Sequence, residues 1–260
     1  PSPKIKASSN WNIKGLIRLA GALALAVSGV SAGLAVASRR DPFQARMLRD
    51  PDAPEFSKSH HEVLDDGTHA TAHFLQGAIP ENPGVDVEAI AQKIAESPSH
   101  IQALNDDPVL SAFRNTVTKK VQSLNPKLHV SSSYLSSGNF MPHRDGYEAE
   151  NQYTMIIELG TVDTRSMEWH KDDVIKTTVF HTKDSSPCHA EMDVVDMPAM
   201  DAGSIVIFNG RTCHQANVTH LTVADAHLER CALVVQVISP EGFDFVAALP
   251  RLRLDRLFYG

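Results

Sequence analysis

The sequence predicts a mainly β domain with flanking helices, an α+β chain whose strands wind into a double-stranded β-helix, or jelly roll. Three observations carry this. Before Asn125-Pro126, apolar residues recur at three- and four-residue steps, the helical period. After it, the period falls to two across six successive runs with no helical stretch between them. At 260 residues, 42% hydrophobic and 21% charged, the chain has the length and apolar content to bury a core. Successive strands without helical crossovers pair antiparallel, which points to a sandwich or jelly roll and away from a parallel α/β sheet.

Residues 1–40 carry Lys4, Lys6, Lys14, Arg18, Arg39 and Arg40 and no acidic residue. Within them, "LAGALALAVSGVSAGLAVAS" (19–38) has no charge and is just long enough to cross a bilayer as a helix. A membrane anchor, with membrane association through residues 19–38, and a removable targeting segment both fit. Residues 41–83, punctuated by Pro42, Pro51, Pro54, Pro80 and Pro83, read as an irregular lead-in. The catalytic fold is then expected over 84–260.

Helices are expected at 86–97 and 107–124. The first places Val87, Ile90, Ala91 and Ile94 on one stripe; the second does so with Leu110, Phe113, Val117 and Val121. Asp107 before Pro108 is a helix start: the carboxylate caps free amides, and proline suits the first turn. Strands are expected at 127–135, 153–160, 174–182, 190–197, 203–209 and 230–238, within a jelly-roll core at 127–240.

Charge narrows the partners. The whole chain has a net charge of -7, and with the basic first forty residues set aside, 18 basic face 31 acidic side chains. Such a body repels phosphate backbones, so nucleic acid is not an expected partner. Cys188, Cys213 and Cys231 form no CxxC pair and give no sign of a disulfide scaffold or zinc knuckle.

Histidine followed two residues later by a carboxylate occurs five times: His60/Glu62, His143/Asp145, His170/Asp172, His189/Glu191 and His227/Glu229. On extended chain, alternate residues face the same way, so any of these can present two ligands together. A non-haem iron site of the two-histidine, one-carboxylate type needs a third ligand from a distant strand. His214, after the turn at Asn209-Gly210, meets that need. Between His143 and His214 lie four expected strands, enough to circle a jelly roll and return. From His170 only three remain. The favoured metal set is therefore His143, Asp145 and His214, with one using His170/Asp172 as the alternative.

These residues resemble the motif of the iron(II)- and 2-oxoglutarate-dependent dioxygenases: HxD, a distal histidine, then a basic residue on the next strand. The resemblance covers roughly 127–240. It implies Fe(2+), 2-oxoglutarate and O2 as cofactor and cosubstrates, with succinate and carbon dioxide released as a C–H bond is hydroxylated. It also implies that Arg230 binds the far carboxylate of 2-oxoglutarate, Arg211 being the rival, and that Tyr134 completes the pocket. Here Arg230 follows His214 by sixteen residues, an interval longer than the family's, and Ala232 stands where many members carry serine. Asp145 fills the position that related halogenases leave open for chloride, so hydroxylation or desaturation is the implied outcome. The substrate is a small molecule or a peptidyl side chain, met by the polar stretches 161–176 and 181–193, where Arg165, Glu168, Trp169, His170 and Lys171 lie. His181, His189, His220 and His227 read as surface or locally hydrogen-bonded residues. Two other readings stand beside this one: a cupin-type metalloenzyme without 2-oxoglutarate, and a non-catalytic jelly-roll subunit of a membrane assembly.

Overall fold

The computed structural model describes residues 55–96, 107–137, 141–145, 150–172, 177–182, 187–189, 191–216 and 227–259. The segment 1–40, with its anchor or targeting stretch, lies outside them, as does His220. Among the described residues no helix is long and apolar enough to cross a membrane.

The chain is mainly β. Its strands are β1 (Lys58–Val63), β2 (His69–Leu75), β3 (His129–Ser137), β4 (Gln152–Asp163), β5 (Glu168–His170), β6 (Thr177–Val179), β7 (Ile205–Asn209), β8 (His214–Ala216) and β9 (Leu228–Ile238). Seven form one antiparallel sheet in the order β1-β2-β7-β4-β9-β3, with β5 paired to β4. β6 and β8 form a second, two-stranded sheet. The helices are α1 (Val87–Ala95), α2 (Pro108–Gln122), α3 (Phe245–Ala248) and α4 (Leu254–Leu257), with a 3-10 turn at Leu249–Leu252.

The large sheet buries both faces, and side-chain parity sorts its residues. Met155 and Ile157 of β4, Leu233, Val235 and Val237 of β9, and Ile205 and Ile207 of β7 face the helices. Ile156, Ala232, Val234, Val206 and Phe208 point the other way, joining Val179 of β6 in a second core. Double-sided burial explains why "YTMIIELG" runs nearly continuously apolar: neither face can alternate with polar residues when both lie against protein.

The helices form as their sequence requires. Asp86 accepts a hydrogen bond from the Ala89 amide, and Asp107 from Val109 and Leu110 with Pro108 in the first turn. Val87, Ile90, Ala91 and Ile94 are buried on α1, and Leu110, Phe113, Val117 and Val121 on α2. Each of the larger side chains contributes roughly 1.5–3 kcal/mol as an upper bound. The stretch after residue 238, given no element by the sequence pattern, adds helical turns whose Phe245, Leu249, Leu257 and Phe258 complete the same core.

Three expectations are corrected. The stretch read as irregular, 41–83, contains the β1–β2 hairpin, paired from Lys58↔Phe74 to Val63↔His69. On β1 the less exposed face carries Lys58, His60 and Glu62, where apolar residues would have marked the period. The expected strand at 190–197 is reduced to a single bridge, Phe180↔Val194, because Asp193 and Asp196 leave too little apolar surface to seat a full strand. The cysteines do form a disulfide, Cys188–Cys213, leaving Cys231 free and buried.

Candidate metal centre and its cleft

The candidate site lies where β8 of the small sheet meets the HxD segment and Phe208 of the large one. His214 opens β8, placed by a reciprocal backbone pair with His143: each amide donates to the other's carbonyl, at 2.9 and 3.0 Å. This pins the HxD segment to β8 although the two are far apart in sequence. Because 143–145 is extended, Arg144 points away, its Nε donating to the Arg211 carbonyl at 2.9 Å, while His143 and Asp145 face inward together. The ligand atoms of His143, Asp145 and His214 all lie within 4.8 Å of one another, a group able to hold a metal ion. The imidazoles sit 4.3 Å apart by centroid, and the Phe208 ring packs 4.0 Å from His214.

The hydrogen bonds fix which nitrogens face inward. Nδ1 of His143 lies 2.7 Å from the Met141 carbonyl, and Nδ1 of His214 lies 3.2 Å from the Thr212 carbonyl. A carbonyl oxygen only accepts, so each Nδ1 carries its proton and each Nε2 keeps a lone pair for other use. Those Nε2 atoms lie 3.4 and 3.8 Å from the Asp145 oxygens. Lone pairs and a carboxylate thus converge on one point, an arrangement relieved only by a proton or a cation. Thr154 Oγ1 donates to Asp145 Oδ2 and orients the carboxylate.

The titration of these groups reflects that geometry. Burial of His214 pushes its imidazolium down to about 4, so the ring is neutral at pH 7. Burial works to raise Asp145, but its hydrogen bonds to His143 and Thr154, with the two imidazoles' charge, bring it down to about 2. His143 is raised by its hydrogen bond to Asp145. Without a metal, a proton on His143 Nε2 satisfies the carboxylate, and a divalent cation would displace it.

Further along the same face of β4, four residues or about 13 Å from Thr154, lies Glu158. Arg230 of β9 grips it with two parallel bonds, Nε to Oε2 and Nη2 to Oε1, both 2.9 Å. Arg230 Nη2 also donates to Thr177 Oγ1 at 2.8 Å. Both ionic side chains are buried, Arg230 2% and Glu158 0% exposed. The guanidinium fork is therefore engaged within the protein. Tyr134 packs against the cleft core, and burial raises its phenol, with the charges of both Asp145 and Arg230 also acting on it. Across from Ala232 on the neighbouring strand stands Ser136, whose buried hydroxyl has no hydrogen-bond partner.

Other sequence candidates are placed elsewhere. His170 and Asp172 are exposed and join no metal-binding group among the described residues. Arg211 pairs with Asp66, and Trp169 donates to the Leu159 carbonyl at 2.9 Å while packing on the helix-side core. His181, expected as a surface or locally hydrogen-bonded residue, belongs with His60 and Glu62 to a second group able to hold a metal ion. Glu158 went unremarked in the sequence; a lone carboxylate inside "TMIIELG" was its signal. No protein-family model matches the chain, and no curated protein matches it either.

Proposed function

We propose that this chain is an iron(II)- and 2-oxoglutarate-dependent oxygenase on a jelly-roll scaffold, hydroxylating a C–H bond of a small-molecule or peptidyl substrate. The observation that carries the reading is the convergence of His143, Asp145 and His214, with both imidazoles held in the tautomer that aims Nε2 at the carboxylate. Two imidazoles and one carboxylate match the donor set of non-haem iron sites that keep the remaining positions open for substrates. The residues fit a ferrous ion: the donors are preformed, and Thr154 and two backbone carbonyls hold them in place. When bound, iron with 2-oxoglutarate supplies the oxidising chemistry.

The protein's own part is placement. In this reading Arg230, already charge-paired with Glu158, also meets the far carboxylate of the dicarboxylate, beside the unpartnered hydroxyl of Ser136. Glu158 holds the guanidinium in plane, and Tyr134 lies in reach of both Asp145 and Arg230. Phe74, Phe208, Val206 and Val234 form a buried apolar core beside the site that would keep water from the reacting centre.

Anaerobic titration with iron(II) and 2-oxoglutarate tests this. The weak visible charge-transfer band of a chelated ferrous keto acid should appear in the wild type, vanish in His143→Ala and weaken in Arg230→Ala. Its absence from the folded wild-type protein overturns the assignment.

A further inference from the structure

A second group of side chains sits where the outer edge of the large sheet meets the chain leaving β6. His60 and Glu62 are alternate residues of β1 and share one face of that strand. His181 follows β6 on the other layer. Their ligand atoms lie within 4.8 Å of one another. His60 Nε2 is shut off from solvent, makes no hydrogen bond, and stands 3.4 Å from Glu62 Oε2. His181 Nδ1 lies 2.6 Å from Glu62 Oε1, and the His60 and His181 rings meet edge to face at 4.8 Å. A solvent-excluded imidazole nitrogen facing a carboxylate without a proton shared between them is costly unless something positive is shared instead.

We propose that His60, Glu62 and His181 form a second metal site, one that takes a divalent transition-metal cation of the zinc class. Two nitrogens and one carboxylate oxygen are the donor set that zinc accepts, with water completing the tetrahedron. The site cross-braces the two sheets: β1 supplies two ligands from the edge, and His181 supplies the third. It is also wired to the first centre. Glu62 Oε2 accepts from the Thr182 amide, and Thr182 Oγ1 accepts from the Cys213 amide at 3.1 Å, one residue before His214. A cation on Glu62 thereby steadies the segment that presents His214. The site stands on its own geometry and does not depend on the oxygenase reading.

The test is a metal count on the full chain. After chelator dialysis, the protein is titrated with zinc and, separately, with cobalt(II), followed by elemental analysis and visible d–d absorption. Wild type should take up two equivalents. His60→Ala, Glu62→Gln and His181→Ala should each take up one, as should His143→Ala through loss of the other centre. His181 is the most exposed of the three ligands, so His181→Ala serves if His60→Ala fails to fold by circular dichroism. Uptake of one equivalent by wild type that survives His181→Ala and vanishes in His143→Ala would overturn the second site. One equivalent that vanishes in His181→Ala and survives His143→Ala would uphold it while removing the metal from the oxygenase reading.

Discussion

Replacing Glu158 with glutamine isolates a buried charge. The substitution keeps the side-chain volume, so no cavity forms, but Arg230 loses its only ionic partner among the described residues while remaining 2% exposed. The glutamine carbonyl and Thr177 Oγ1 are left as its acceptors, neutral dipoles in place of a charge. Breaking a buried pair from one side costs about 3–5 kcal/mol, far more than an exposed pair would. In a domain of this size each kcal/mol moves the midpoint by about 2–4 °C, so Glu158→Gln should melt about 6–20 °C below wild type. The apolar double variant Glu158→Met/Arg230→Met should recover most of that loss, because no unpaired charge remains. Paired thermal and urea melts of wild type, single and double variants measure this. A single variant within about 1 kcal/mol of wild type, or a double variant worse than the single, would refute the claim that the pair's cost lies in uncompensated charge. If 2-oxoglutarate reaches Arg230, it should stabilise Glu158→Gln more than wild type, its carboxylate replacing the lost one.

Three further outcomes are expected. Thr154→Val removes the hydroxyl that orients Asp145 without changing side-chain shape, and should weaken metal binding about 10–100-fold in titration with the fold intact by circular dichroism. Opening Cys188–Cys213, by reductant or by Cys188→Ser, releases a loop of 25 residues worth about 3.5 kcal/mol of chain entropy, read as a lower urea midpoint. In the metal-free protein, His214 is depressed from 6.5 to about 4, so its contribution is complete above pH 6.5 and is lost as pH falls towards 4. Urea midpoints at pH 7 and 4.5 should therefore differ by up to about 3 kcal/mol more in wild type than in His214→Gln. His143, raised by Asp145, works in the opposite direction and is common to both proteins.

Local patterning alone made both long helices legible. Asp107-Pro108 and the Leu110-Phe113-Val117-Val121 stripe state a helix start and a buried face without any distant partner. The central strands were legible too, since β4, β7 and β9 are apolar enough to bury on both sides. The β1–β2 hairpin was not, because β1 turns polar Lys58, His60 and Glu62 to its less exposed face, and Glu62 is matched by His181, 119 positions later. The three candidate metal-binding residues were legible as types at a spacing: an HxD unit and a histidine after a late turn. Their convergence, and the tautomers that make it useful, belong to folding, because the carbonyls of Met141 and Thr212 and the hydroxyl of Thr154 act only once the sheets close. The same holds for Arg230, whose charge is plain in the text but whose fork is occupied by Glu158, 72 positions earlier. Sequence sets which groups exist and which local shapes they favour; their charge states and partners depend on distances of a few ångströms, and only the packed chain defines those.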